Sequence, residues 1–156
     1  MTTTESVWDY PRPPAVEKSD EHVVVTHRGK ILVDTRASYR VLETSHPPAY
    51  YLPLADADTS LLVAVPGQTW CEFKGAASYA DIVVNGEKVP RAVWWYENPT
   101  PGFLALVDHI ALYPGLVDEC RVDGEIVLAQ DGDFYGGWIT SRVTGPFKGA
   151  PGTLGW

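Results

Sequence analysis

Apolar and polar positions alternate along the chain in short runs, each ended by Gly, Pro or an Asn-Gly-type pair. The runs at 22–28 and 31–34 flank Arg28-Gly29-Lys30 and predict a hairpin. Thr35 through Glu43 reads as about two helical turns, capped by Asp34 or Thr35, with Ala37, Val41 and Leu42 facing inward. Pro47-Pro48 ends that element, and 49–54 is extended. Asp56 or Asp58 can cap a single turn running to Leu62, and Pro66-Gly67 predicts a turn before a strand over 68–73. Residues 78–84 meet 87–89 across Asn85-Gly86, the strongest hairpin signal in the chain. Further strands are predicted over 91–97 and 109–113, and 120–122 pairs with 125–128 across Asp123-Gly124. Many short strands and no helix long enough for a βαβ crossover predict an all-β domain of antiparallel sheets.

The ends differ from this body. Residues 1–21 form an N-terminal arm, where the prolines of Trp8-Asp-Tyr-Pro-Arg-Pro-Pro14 exclude a helix. Residues 22–133 form a single body, and 134–156 a C-terminal arm rich in Gly, Pro and aromatics. Trp138, Phe147, Leu154 and Trp156 are too apolar to hang in water. The arm is therefore expected to cross an apolar surface, on its own body or on a second copy in a homodimer.

Composition narrows the function. Twenty acids against twelve bases give a net charge of -8, which excludes a phosphate-backbone binder and leaves no nucleic acid among the expected partners. Residues 97–133 hold eight of those acids against Arg121 alone, an acidic face. No apolar run approaches the roughly 20 residues that span a bilayer, so no membrane is expected. The first residues lack a basic and apolar leader, and the expected location is the cytoplasm. Cys71 and Cys120 have no CxxC partner, the four histidines lack ligand spacing, and no metal or cofactor is expected.

Candidate chemistry concentrates in Thr69-Trp-Cys-Glu-Phe-Lys-Gly-Ala-Ala-Ser-Tyr79. On a straight strand Cys71 and Lys74 point to opposite faces, so they meet only if the chain breaks at Lys74-Gly75. An ammonium beside a thiol would enrich the nucleophilic thiolate; otherwise Cys71 is a small apolar residue and Lys74 marks a turn. Val93-Trp-Trp-Tyr96 places Trp94 and Tyr96 on one face and Trp95 on the other, as core or as the wall of a ligand pocket. Arg36 and Arg40, one helical turn apart, either lie on a solvated surface or make a small anion site. Phe-Lys-Gly-Ala occurs at 73–76 and again at 147–150, too short to be a repeat and without the helix of a P-loop.

The ordered series Tyr50-Tyr51-Leu-Pro53, Asp56, Cys71-Glu-Phe-Lys-Gly75, Tyr79, Trp95-Tyr96-Glu-Asn-Pro99 and Ile110-Ala-Leu-Tyr113 resembles the bacterial and fungal family catalogued as domain of unknown function 427. The resemblance spans roughly 22–128, and the central motif departs from the family's common Cys-Pro-Tyr-Lys-Gly at Glu72-Phe73. It implies a β-tent, or Mss4-like, pair of antiparallel sheets with one or two short helices. Zinc-bearing β-tent relatives use paired CxxC motifs that this chain lacks, so that metal does not carry over. Some relatives hold ligands in an aromatic cage, which by fold analogy points to Trp95. The nucleotidyltransferase label sometimes given to the family has no Gly-Ser and paired-aspartate signature here.

Two functions follow as expectations. One is a small-molecule binding module with a cleft of Tyr51, Cys71, Lys74, Tyr79 and Trp95, and with Arg36 and Arg40 as an anion contact. The other is an enzyme in the same cleft, with Cys71 or Lys74 as nucleophile or with Mg²⁺-dependent nucleotidyl transfer.

Overall fold

Three two-residue turns set the hairpins. Arg28-Gly29, Asn85-Gly86 and Asp123-Gly124 all have both central residues at positive φ, the backbone twist that tight hairpins require. The computed structural model describes residues 4–71, 73–131, 136–149, 152, 153, 155 and 156. Its strands are β1 (Glu5–Ser6), β2 (Ala15–Ser19), β3 (Val23–His27), β4 (Lys30–Thr35), β5 (Ser38–Leu42), β6 (Ala49–Pro53), β7 (Leu62–Cys71) and β8 (Gly75–Val84). The series continues with β9 (Glu87–Trp95), β10 (His109–Leu112), β11 (Glu119–Val122), β12 (Glu125–Ile126), β13 (Leu128–Ala129), β14 (Trp138–Ile139) and β15 (Val143–Thr144). The fold is all-β, with short 3-10 turns and no α-helix among the described residues.

Seven strands form one antiparallel sheet in the order β2-β5-β6-β10-β9-β8-β7, and four form a second in the order β12-β11-β3-β4. The alternation of each strand divides the larger sheet into two faces. Tyr50, Leu52, Ala80, Ile82, Val93, Ile110 and Leu112 point inward, packing with Val23, Val25, Leu32 and Val33 of the smaller sheet into the main core. Their neighbours Tyr51, Ala77, Trp94 and Ala111 point outward into a second, aromatic-rich cluster. A turn over Pro101–Leu106 covers part of that outer face with Phe103 and Leu106.

Two sequence expectations are corrected. The stretch 35–43 is not helical: Ser38–Leu42 is strand β5, paired with β2 on one side and β6 on the other. Tyr39 and Val41 face one side of it and Arg40 the other, a period of two that helical spacing also fits in so short a run. Pro66-Gly67 does not end a strand. The chain bulges there within β7, and pairing with β8 resumes at Gln68.

Both ends dock on the chain's own body. Residues 15–19 complete the seven-stranded sheet as β2, and β1 runs parallel to β15. Trp138 is only 1% exposed, its ring 4.9 Å from that of Tyr50. Trp8 meets Trp156 edge-on at 5.4 Å and donates its indole N–H to the Pro146 carbonyl at 2.8 Å. Val7, Tyr10, Leu42 and Val143 bury a small separate cluster with Phe147 against it. Leu154, also expected to anchor the arm, lies outside the described residues.

Candidate functional site: an aromatic cavity on the outer sheet face

The outer face of the large sheet is incompletely covered, and the gap is a cavity of about 610 Å³. Tyr51 from β6, Trp94 from β9 and Tyr113 just beyond β10 supply its aromatic walls, together with Tyr96. The Trp94 and Tyr113 rings lie 4.6 Å apart, and Tyr51 meets Trp94 edge-on at 6.4 Å. Trp94 donates its indole N–H to the Tyr51 hydroxyl at 3.1 Å, giving both polar tips a partner in a dry wall. Burial holds the phenols of Tyr51, Tyr96 and Tyr113 above the ordinary tyrosine value, so they remain neutral O–H groups near neutral pH.

The hairpin joining β7 to β8 brings its own residues to the rim. Cys71 ends β7, Gly75 opens β8 at a φ of +108°, and Lys74 sits in the turn between. The neighbouring loop fixes this turn: Thr100 donates its N–H to the Lys74 carbonyl at 3.0 Å and its hydroxyl to the Phe73 carbonyl at 2.5 Å. A Cβ on Gly75 would sit 3.4 Å from the Asn98 carbonyl in that same loop. The chain therefore does turn where the sequence allowed it, and Cys71 and Lys74 line one cavity. No hydrogen bond joins their side chains among the described residues. Lys74 Nζ stands 5.9 Å from the ring centres of both Tyr96 and Phe103, within cation–π range. No carboxylate among the described residues pairs with it. Glu72 lies outside the described residues. Trp70, 73% exposed on β7, also stands at the rim.

The C-terminal segment forms the remaining wall. Gly136 passes so close over Trp94 that a Cβ there would lie 2.2 Å from the indole ring, which only glycine avoids. Gln130, Gly137 and Lys148 follow, and His46 and Glu43 enter from the loop after β5. Glu43 lies 3.4 Å from Arg12 Nε and 3.7 Å from His46 Nε2. Burial together with Lys148, Arg12 and Lys74 holds the His46 imidazole below its ordinary value, against the pull of Glu43.

The remaining expected site residues lie as follows. Tyr79 lines the cavity, its hydroxyl 2.7 Å from Thr69 Oγ1 and its ring 4.1 Å beneath the Arg91 guanidinium. Trp95 does not line it. That residue packs half-buried against the inner core, and its neighbour Trp94 forms the wall instead. Arg36 and Arg40 make no shared anion site: Arg36 is exposed, whereas Arg40 is 0% exposed and hydrogen-bonds Glu5 and Glu17. Both cysteines are free; burial in the inner core, helped by Glu119, pushes the Cys120 thiol up to about 12. Among the described residues, no three His, Cys, Asp or Glu side chains gather as a metal site needs, and no helix is long and apolar enough to cross a membrane.

Several cavity residues were not anticipated. Trp94 and Tyr96 were legible as one face, but nothing local said which face opens. His46, Gln130 and Gly136 are far apart in sequence and carry no shared motif. Lys148 had one faint signal, since the two Phe-Lys-Gly-Ala copies each place their lysine on this cavity.

Fold and site together define an all-β protein with an aromatic, lysine-bearing cavity on the open face of its larger sheet. Residues 15–123 match the family described as domain of unknown function (DUF427), and the chain belongs to it. Comparison with curated proteins finds no match.

Proposed function

We propose that this protein is a small-molecule binding module whose ligand occupies the outer-face cavity. The observation that carries this reading is a cavity of about 610 Å³, walled by Tyr51, Trp94, Tyr96 and Tyr113, left open on a sheet whose other face is closely packed. Pockets for small ligands fall within roughly 300–1,000 Å³ and combine apolar walls with a few placed polar groups. Here Lys74, His46 and Gln130 are those groups.

The test is a thermal-shift screen of ring-bearing small molecules on the protein and on Ala49→Phe, which fills the cavity from β6. Ligands that raise the melting temperature of the wild type and not of the variant support the reading. A screen in which nothing separates the two proteins overturns it.

An enzymatic reading rests on a different observation, the thiol of Cys71 sharing the cavity with an imidazole and an ammonium. No base stands within hydrogen-bond reach of the thiol among the described residues, so one of the usual ways of activating such a nucleophile is not in place. In a binding module Cys71→Ser leaves ligand affinity unchanged, which isothermal titration calorimetry measures directly. Turnover of a ligand by the wild type, lost in Cys71→Ser, would establish the enzyme instead.

A further inference from the structure

We infer that the ligand is a flat aromatic ring bearing a carboxylate, with Lys74 as the charge partner of that carboxylate. The inference rests on the binding reading above and adds the chemistry of what binds. Three features select it.

The first is charge. The whole chain carries -8, yet among the described residues the charged groups lining this cavity are Lys74, Lys148 and Glu43, two cations to one acid. The one carboxylate of that set, Glu43, is already engaged by Arg12 and His46. On an acidic protein, a cavity lined by more cations than acids is a place that attracts an anion.

The second is the position of Lys74. Its ammonium already stands 5.9 Å from two ring centres, that of Tyr96 in the cavity wall and that of Phe103 beside it. A cationic guest would meet that ammonium and be repelled, so the aromatic walls do not make a cation cage. A carboxylate instead gains a charge-assisted hydrogen bond from a donor held beside the cavity by its hairpin.

The third is shape. Trp94, Tyr113 and Tyr51 pack on one another into a continuous aromatic wall, and a flat ring covers such a wall better than a branched chain. Trp70 stands 73% exposed at the rim, where a second flat surface can close over a bound ring.

The test uses three probes with one ring system: 2-naphthoate, the neutral 2-naphthamide and the cationic 2-naphthylmethylamine, titrated calorimetrically into the full chain. The expected order is naphthoate first, then the amide, with the amine weakest. Lys74→Met should weaken naphthoate roughly tenfold, the loss of one charge-assisted contact, and leave the amide unchanged. Amide binding as tight as naphthoate, or naphthoate binding insensitive to Lys74→Met, overturns the carboxylate assignment and leaves the binding module standing. Binding of none of the three at millimolar concentration overturns the assignment of an aromatic ring, while the wider ligand screen still judges the module. The wild-type series decides the charge question by itself should the variant fail to fold.

Discussion

Arg40 and Lys74 carry the same charge beside the same sheet, in opposite company. Arg40 leaves β5 toward the inner side, next to Tyr50, and is fully buried. Glu5 and Glu17 take its two terminal nitrogens, and Arg142 lies 3.3 Å from the same Glu5 and 2.9 Å from Glu21. Lys74 stands over the outer side, with two aromatic rings and no carboxylate among the described residues. A buried guanidinium with its acids in place is a structural clamp, because removing either partner would strand a charge. A cation kept beside an open cavity without an acid is arranged for something that arrives. The two faces of one sheet thus divide the work. Leu52, Val93, Ile110 and Leu112 hold the sheets together, and Tyr51, Trp94 and Tyr113 one residue along each strand wall the cavity.

The largest effect that tests this division comes from alkali. Tyr50 is on the inner face, and Tyr51 and Tyr96 are on the outer; burial raises all three phenols above their ordinary 10.0. A group whose folded value is raised stabilises the fold below its unfolded value and loses that contribution as the pH climbs past it. Three such phenols should cost about 4 kcal/mol of stability per pH unit above 10, against a total of about 5–15 kcal/mol. The protein is therefore expected to unfold cooperatively above pH 10, with phenolate absorbance rising together with the loss of circular dichroism. Ionisation near pH 10 in a protein still folded, with an absorbance step that Tyr51→Phe or Tyr96→Phe removes, would show that water reaches the cavity floor and would break the symmetry of burial assumed here.

Next in size is a truncation on the inner face. Leu112 is fully buried in the main core, so Leu112→Ala should cost about 2–5 kcal/mol in urea unfolding. Its outer-face counterpart is Trp94→Phe, which removes the hydrogen bond to Tyr51 and part of a ring that borders open space. That change should cost only about 1–1.5 kcal/mol, because a wall beside a cavity can relax. Equal losses from the two variants would mean that the outer face is sealed core and not a binding wall.

The same contrast explains how far the sequence could be read. The hairpins were legible because Asn85-Gly86 and its two analogues fix a turn with two residues and need no distant partner. The split of Tyr50 from Tyr51 and of Trp94 from Trp95 was legible as alternation. Which side of that alternation opens was not, because it depends on where the smaller sheet packs; Trp95 was therefore expected in the cleft that Trp94 occupies. The stretch 35–43 failed for a similar reason. Ser-Tyr-Arg-Val-Leu fits a helix or a strand locally, and the choice belongs to β2 and β6, which pair with it from either side. Arg40 looked like half of an anion site because its acids, Glu5 and Glu17, reach it only after the N-terminal segment has docked.

The smallest effect sharpens the clamp half of the comparison. Burial works to raise the Glu5 carboxyl, but hydrogen bonds from Arg40 and Tyr10 and the charges of Arg40 and Arg142 outweigh it, holding the group below its ordinary 4.5. A carboxyl so lowered stabilises the fold above pH 4.5 and gives up that contribution as the pH falls through the lowered value. One partly exposed carboxylate moves the total only slightly, so the readout is a slope: the urea midpoint followed between about pH 6 and pH 3. Glu5→Gln keeps an oxygen for Arg40 to bond and removes the titration, so its midpoint should fall less steeply than that of the wild type over this range. Lys74→Met, which touches no acid of the clamp, should leave the wild-type slope intact. Parallel slopes for wild type and Glu5→Gln would show that Arg40 is held by Glu17 alone, and that the docking of the N-terminal strand does not depend on the charge of Glu5.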